Sequence, residues 1–311
     1  MKTILLSQNE IKQAALLLKK GELVAFPTET VYGLGACISQ PDSIKKIFKV
    51  KKRPQDNPLI AHIATLEECN ALAIEIPNMF FQLAEAFFPG PLTLVIQKHP
   101  SISSIVSGGL NTIAIRMPAH SIARALIAEV GEALVAPSAN LSGTPSSTRA
   151  EHVMEDFQGK IAAVIDGGDT VHGMESTVID LVTFGKPTLL RHGALSKEEV
   201  ESVLSQKLDL YTSGPKSSPG MKYRHYAPKL PVYLFSKRED LQKFLLSKPN
   251  SLILSTESLP ILYHPLEAKT LYATLRFADQ KGYDQIVILC KDCEDATLLN
   301  RLEKIVENHL H

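Results

Sequence analysis

Leu23-Val24-Ala25-Phe26-Pro27-Thr28-Glu29-Thr30-Val31-Tyr32-Gly33-Leu34-Gly35 sets four apolar residues directly against a polar turn. The apolar run reads as a short buried strand that Pro27 ends. Polar residues crowded at a strand end are costly unless they hold a ligand, and binding residues concentrate on such loops. Further on, Lys51-Lys52-Arg53-Pro54-Gln55-Asp56-Asn57-Pro58 places a cationic cluster beside another apolar run, Leu59-Ile60-Ala61-His62-Ile63. A third loop of the same kind, Ala136-Pro137-Ser138-Ala139-Asn140-Leu141-Ser142-Gly143, follows a strand expected over residues 133–136.

Outward from these loops, helical and strand periodicities alternate. Ser7-x-x-Glu10 reads as a capping box that opens a helix over about residues 8–20, with Gly21 as its stop. Further helices are expected over 42–49, 78–87 and 121–129, with strands over 59–63, 92–96 and 112–117. Thr148-x-x-Glu151 and Ser196-x-x-Glu199 are expected to cap two later helices. Strands over 161–165, 177–182 and 188–190 come between, the last two forming a hairpin. This order argues an α/β fold with an open, twisted sheet of mixed parallel and antiparallel strands.

At 311 residues the chain exceeds one typical core. Residues 1–211 are expected to form the larger domain and 212–230 a linker. Residues 231–311 should make a smaller Rossmann-like α/β domain, its strands over 232–235, 251–254 and 285–289 alternating with helices over 239–247 and 267–279. The first half of the linker, Ser213-Gly214-Pro215-Lys216-Ser217-Ser218-Pro219-Gly220, has spacer composition. Its second half, Met221-Lys222-Tyr223-Arg224-His225-Tyr226-Ala227-Pro228, is too rich in aromatic and cationic groups for an inert tether.

Basic and acidic residues balance at 33 each, so any polyanion site must be a local cluster. No apolar stretch reaches the ~20 residues that span a bilayer, and the first ten residues do not read as a targeting signal. A cytoplasmic enzyme with no membrane association is expected. Four cysteines are too few for a disulfide scaffold, and Cys290-Lys291-Asp292-Cys293 has no second pair to complete a zinc site.

Neither G-x-x-x-x-G-K-[ST] nor a complete dinucleotide fingerprint is present, so a bound nucleotide must be held by side chains. Lys45, Lys46, Lys49, Lys51, Lys52 and Arg53 form a run of cations. Pro54 ends their helix, letting Lys51 and Arg53 converge on a phosphate chain; the alternative is a solvated basic helix face. Thr28, Thr30 and Tyr32 alternate along an expected extended segment, so their hydroxyls would share one side, or else bond the backbone of a turn. His62 stands in an apolar strand, as a ligand or as a satisfied core residue. Arg116 ends Thr112-Ile113-Ala114-Ile115-Arg116, and an arginine in an apolar strand must meet an anion or several acceptors. Ser138 and Asn140 offer donors to a phosphate or base, whereas Ser146 and Thr148 could also serve helix capping. Asp166-Gly167-Gly168-Asp169 reads as a turn and not a calcium loop. Ser138 lacks a nucleophile elbow, which disfavours covalent hydrolase chemistry.

Together, Pro27-Thr-Glu-Thr-Val-Tyr-Gly-Leu-Gly35, Lys51-x-Arg53-Pro-x-x-Asn57-Pro-Leu59, Arg116-Met-Pro118, Pro137-Ser-Ala-Asn140 and Glu175-Ser-Thr177 resemble the threonylcarbamoyl-AMP synthases with a YrdC-type domain. The segment 219–228 resembles the linker of their long, two-domain branch. The resemblance implies condensation of L-threonine, bicarbonate and ATP to threonylcarbamoyl-AMP and pyrophosphate, for threonylcarbamoyladenosine formation in tRNA. It implies that Thr30, His62, Arg116, Ser138 and Ser176 hold threonine, with Thr28 and Tyr32 on the same wall. Lys51 and Arg53 would be the catalytic cations. They would hold ATP together with Asn57, Thr112, Asn140, Ser146, Thr148 and Arg191. Tyr223, His225 and Tyr226 would make the linker a lid, Tyr223 and His225 closing over the nucleotide, and Mg²⁺ would ride mainly on phosphate oxygens without a protein metal site. The implied partners are threonylcarbamoyl-transferase proteins downstream, with a weak tRNA contact as a further candidate. Two other readings compete: a non-catalytic RNA-binding module using the basic cluster, and a paralogous enzyme using a similar pocket for carbamoyl transfer or for removing the modification.

Overall fold

The computed structural model describes residues 2–211, 226–291 and 295–306. They divide into two compact units, of which the second takes in Gly143–Ser146 as well as the C-terminal residues.

The first unit carries strands β1 (Ile4–Leu6), β2 (Val24–Phe26), β3 (Gly33–Cys37), β4 (Ile60–His62), β5 (Leu92–Gln97) and β6 (Thr112–Arg116). It continues with β7 (Leu134–Val135), β8 (Ala163–Ile165), β9 (Thr177–Asp180), β10 (Thr188–Arg191) and β11 (Asp209–Leu210). These form one sheet in the order β1-β8-β2-β3-β7-β4-β6-β5-β9-β10-β11. Pairing is mixed: β4 runs parallel to β6, while β3 and β4 are both antiparallel to β7. The expected hairpin is present as the antiparallel pair β9 and β10.

Neighbouring residues on one strand enter different apolar clusters, as the two-residue period of a strand requires. Val24 and Phe26 join one cluster and Ala25 the other; Leu134 and Val135 divide in the same way. Both faces are therefore covered, which explains why the strands read as unbroken apolar runs. One cover is formed by the helices Ile11–Lys19 and Ser121–Val130, whose Ala14, Leu18, Leu126 and Ile127 are buried over Phe26 and Ile165. Side chains such as Leu18 and Ile127, with no exposed surface, each contribute about 1.5–3 kcal/mol of transfer free energy.

Some boundaries depart from the sequence expectation. The first helix begins at Ile11 and not near residue 8: Glu10 N–H donates to Ser7 O in a turn, and of the expected capping box the half in which Glu10 Oε2 accepts Ser7 N–H is made. Thr148 does not cap the helix Ala150–Phe157; Arg149 occupies that position and makes no side-chain cap. Ser196 and Glu199 do form the expected capping box, opening the helix Lys197–Leu204.

The second unit has four parallel strands, β12 (Val232–Phe235), β13 (Ser251–Ser255), β14 (His264–Pro265) and β15 (Gln285–Leu289), in the order β12-β15-β13-β14. The helices Arg238–Ser247, Ala268–Gln280 and Ala296–Val306 alternate with them, as a Rossmann-like α/β domain requires. Arg301 is fully buried in this unit. Its Nε donates to the Tyr272 hydroxyl at 3.1 Å, and its guanidinium lies 4.8 Å from the centre of the Tyr226 ring. Tyr226 in turn stacks on Tyr272 at 5.3 Å.

Candidate active site

The loops singled out in the sequence are joined by hydrogen bonds. The Tyr32 amide donates to Ser147 O, and the Ala139 amide donates to Tyr32 O at 2.7 Å. Leu34 N–H reaches Pro137 O, and Gly33 bridges to Ser138. The turn after β2 and the loop after β7 are thus one backbone unit. The second loop is tied to the same place by Lys51, whose ammonium donates to Ser138 O at 2.5 Å and also to Asn140 O. Lys51 O accepts from Ser142 N–H.

Lys51 is buried at the end of the helix Pro41–Lys51. Ile44, Ile47, Phe48 and Lys51 follow the i, i+3, i+4, i+7 spacing of one helix face, so its position belongs to the buried face. Lys52 then takes a left-handed conformation (φ 53°), and the chain turns out of the helix. Arg53, 9% exposed, folds over the following turn, its guanidinium donating to Asn57 O and Pro58 O. Gly108 packs on the same turn, with room for no side chain: a Cβ there would lie 2.8 Å from Asp56 O. Asn57 is buried, and its Oδ1 has no hydrogen-bond partner among the described residues.

The basic run does not form one solvated face. Lys45 pairs with Asp42 and Lys46 caps Gly21 O, while Lys51 and Arg53 are buried.

His62 and Arg116 are register partners at the ends of β4 and β6. Arg116 is buried, and its Nε donates to Gly90 O at 3.2 Å and its Nη2 to Glu29 Oε1 at 2.5 Å. The Ala119 amide donates to the other oxygen of Glu29 at 3.0 Å. Burial pushes the Glu29 carboxyl upward, yet the Arg116 charge and these hydrogen bonds outweigh it and hold the group below the usual carboxylate range. Burial, and then the Arg116 charge, press the His62 imidazole down to about 3, so it is neutral near pH 7. Its Nδ1 faces Ile60 O at 3.2 Å.

Thr112 begins β6, four residues before Arg116, and so lies about 13 Å along the strand from it. Thr112 therefore stands at the opposite end of the β4–β6 pair from His62 and Arg116. The turn Thr28–Tyr32 touches both Arg116 and the loop after β7, since Glu29 grips Arg116 while Tyr32 bonds Ser147 O and Ala139 N–H.

That turn differs from the extended segment expected. Thr28 Oγ1 accepts from Thr30 N–H and donates to Val31 O at 2.6 Å, closing a tight bend. With its one hydroxyl proton so used, Thr28 accepts from Thr30 Oγ1 across 2.9 Å. Tyr32 points elsewhere: its hydroxyl donates to Gly168 O and accepts from Gly167 N–H, and so braces the 166–169 segment. That segment is a turn, as expected, closed by Gly168 N–H on Asp166 Oδ1.

Ser176 Oγ lies 2.7 Å from Thr93 Oγ1 and accepts from Arg191 Nη2 at 3.0 Å. Arg191 also grips Ser176 O, so it orients Ser176 directly. Thr177 N–H donates to Pro91 O, and Pro91 follows the glycine that receives Arg116, which links this strand end to the arginine. Thr148 faces His152 Nδ1 from both its amide and its hydroxyl. Asn140 and Ser146 are buried, and Asn140 Nδ2 donates to Leu141 O. Tyr223, His225 and Cys293 lie outside the described residues.

The sequence reading missed Glu29 and Thr93. Thr93 stands within the apolar strand β5, the same signal that singled out Arg116, whereas Glu29 lies in the polar turn after β2.

A family model described as "Telomere recombination", that of the Sua5/YciO/YrdC proteins, matches residues 16–193. The chain belongs to this family. A second model, described as "Threonylcarbamoyl-AMP synthase, C-terminal domain", matches residues 195–304, so both units carry family sequence. Among curated relatives, a threonylcarbamoyl-AMP synthase of Pyrococcus abyssi is 43% identical over 320 residues, covering 95% of this chain and 93% of that protein. One from Bacillus subtilis is 49% identical over 228 residues, covering 72% of this chain and 66% of its own length. The crystal structure of P. abyssi Sua5 complexed with L-threonine superposes with a TM-score of 0.90 at 39% identity, covering 99% of this chain and 98% of that one. The mixed α/β architecture with two domains is thus that of the Sua5 branch.

Proposed function

We propose that this member of the family is a threonylcarbamoyl-AMP synthase that condenses L-threonine, bicarbonate and ATP. The observation that carries the reading is Arg116: a buried arginine at a strand end, in a fold whose solved relative holds threonine, with one guanidinium nitrogen left for an anion. In the first step the threonine amine and bicarbonate form a carbamate with loss of water. A carbamate oxygen then attacks the α-phosphorus of ATP, and pyrophosphate leaves in line. The protein need supply little covalent chemistry, since positioning and charge neutralisation lower this barrier.

Arg116 takes the threonine carboxylate, with Thr30, His62, Ser138 and Ser176 around the rest of the molecule. Neutral His62 offers hydrogen bonding without adding charge. Arg53 and Asn57 serve the nucleotide from the turn after the helix, with Thr112, Asn140, Ser146, Thr148 and Arg191 as its further neighbours. Lys51 acts on the nucleotide chiefly through the Ser138–Asn140 loop that it fixes. The donors gathered here are cations, hydroxyls and amides, which suit phosphate oxygens; among the described residues no group of three or more His, Cys, Asp or Glu could hold a metal. In the same reading Mg²⁺ travels on the triphosphate as part of the substrate, where it neutralises phosphate charge. Delivery of the adenylate to threonylcarbamoyl-transferase proteins, and a cytoplasmic setting where ATP and tRNA meet, belong to the same proposal. No helix among the described residues is long and apolar enough to cross a membrane.

Pyrophosphate release from ATP, with threonine and bicarbonate each omitted in turn, tests the reading. Release that needs both supports it. Release independent of either one would overturn it.

A further inference from the structure

Two of the three guanidinium nitrogens of Arg116 are committed within the protein. Nε is held by Gly90 O and Nη2 by Glu29, whereas Nη1 makes no hydrogen bond among the described residues. A guanidinium is planar and rigid, so fixing two nitrogens fixes the direction of the third.

The groups that hold it are themselves anchored. Glu29 is 5% exposed; Arg116 takes one carboxylate oxygen, the Ala119 amide takes the other, and the Glu29 carbonyl accepts from His172 N–H at 2.8 Å. Gly90 N–H donates to Met117 O at 2.8 Å, and a Cβ on Gly90 would lie 2.3 Å from Phe87 O, so a side chain there would displace the carbonyl that receives Nε. Such anchoring exceeds what neutralising one buried charge requires.

We propose that Glu29 is the positioning residue of the amino-acid subsite: its carboxylate locks the Arg116 guanidinium so that Nη1 meets the carboxylate of the incoming amino acid. Glu29 touches no substrate and acts through Arg116. Each of its oxygens already accepts one hydrogen bond, and against the upward push of burial the Arg116 charge and these bonds lower its basicity toward the amine. The pair is also neutral as a whole, which matches a zwitterionic amino acid better than an anionic one. The inference rests on the reading of Arg116 as the carboxylate clamp.

The test uses Glu29→Gln, which keeps the shape and one acceptor oxygen but removes the charge, and Glu29→Asp, which keeps the charge and withdraws it by one methylene. Threonine affinity without ATP, the KM values for threonine and ATP, and thermal stability are measured for each. Glu29→Gln should weaken threonine binding by about ten- to a hundredfold, the loss of one charge-assisted hydrogen bond, with the KM for ATP moved less than about twofold. Glu29→Asp should fall between Glu29→Gln and the parent. Threoninamide, which lacks the carboxylate, should bind weakly to the parent and no worse to Glu29→Gln, a signature that general loosening of the fold would not give. Unchanged or tighter threonine binding in Glu29→Gln overturns the proposal, as does an equal loss for threonine and threoninamide. If Glu29→Gln fails to fold, Glu29→Asp decides on the same readouts. Arg116→Lys separates the two levels: an unchanged threonine affinity there would remove the clamp itself. Loss in Arg116→Lys with none in Glu29→Gln would remove the positioning role alone.

Discussion

Replacing Gly193 with alanine should damage both stability and the threonine subsite, for a reason that lies in backbone packing. A Cβ on Gly193 would stand 2.3 Å from the Ser176 carbonyl carbon and from Thr177 N, and 2.5 Å from Glu175 O. Carbon atoms pack at about 3.5–4.0 Å, so the two segments must separate by about 1 Å or more. Neither neighbour is a flexible side-chain tip that could swing away. The segments are stitched by Ala194 N–H on Glu175 O, by Thr177 Oγ1 on Leu195 O, by Leu195 N–H on Thr177 Oγ1, and by Arg191 on Ser176 O. Losing two of these bonds costs about 2 kcal/mol, and overpacking adds about 1–3 kcal/mol. A total of about 3–5 kcal/mol corresponds to a fall in Tm of about 6–20 °C for a domain of this size class. Ser176 would shift with its backbone, so the KM for threonine should rise as well. Thermal unfolding and threonine titration of Gly193→Ala measure both. A Tm within about 1 °C of the parent with an unchanged threonine KM would refute the close-approach argument.

Lys51→Met keeps the length of the side chain and removes the ammonium that Ser138 O and Asn140 O share. It should cost about 2–3 kcal/mol of stability, read as a lower urea midpoint, and should slow adenylate formation even at saturating ATP. His62 supplies a pH dependence with a definite sign. Its imidazole titrates near 3 in the folded protein and near 6.5 when unfolded, so the unfolded state binds the extra proton between those values. Stability conferred by keeping it neutral is complete above about pH 6.5 and is lost as pH falls toward 3, with a slope of up to about 1.4 kcal/mol per pH unit. His62→Gln should flatten that part of the curve, as measured by urea midpoints between pH 7.5 and 5 (about these limits); an unaltered slope would show that another group carries it.

Long, strongly patterned elements were legible in the sequence. The helix Asn78–Phe87 and the strands β12 and β15 fall at their expected bounds, because uninterrupted apolar periodicity leaves little choice of register. The strand β3 was not anticipated: Gly33-Leu34-Gly35-Ala36-Cys37 lacks β-branched residues and is held as a strand by β2 and β7 on its two sides. The strands β1, β11 and β14, of two or three residues, are too short to leave a local pattern, and β1 depends on the distant β8.

For the site, sequence singled out residues whose polarity conflicts with their surroundings, and Arg116 does meet acceptors as that criterion requires, in Glu29 and Gly90 O. What a polar residue meets depends on tertiary approach. The Glu29–Arg116 pair spans 87 positions, the Lys51–Ser138 bond another 87, and neither could be read from spacing. Tyr32 shows the converse: its row with Thr28 and Thr30 suggested a common wall, but the bend at Thr28–Val31 turns its hydroxyl to Gly167 and Gly168. The basic run was divided in a similar way, since about one and a half helical turns separate buried Lys51 from Lys45 and Lys46 on the surface.

The central claim is that the acid joined to AMP is the carbamate of threonine. Incubation with ATP, threonine and ¹³C-labelled bicarbonate, followed by mass analysis of the nucleotide products, addresses it directly. The account predicts an adenylate that contains threonine and one labelled carbon. Unlabelled threonyl-AMP, or AMP alone, would contradict it.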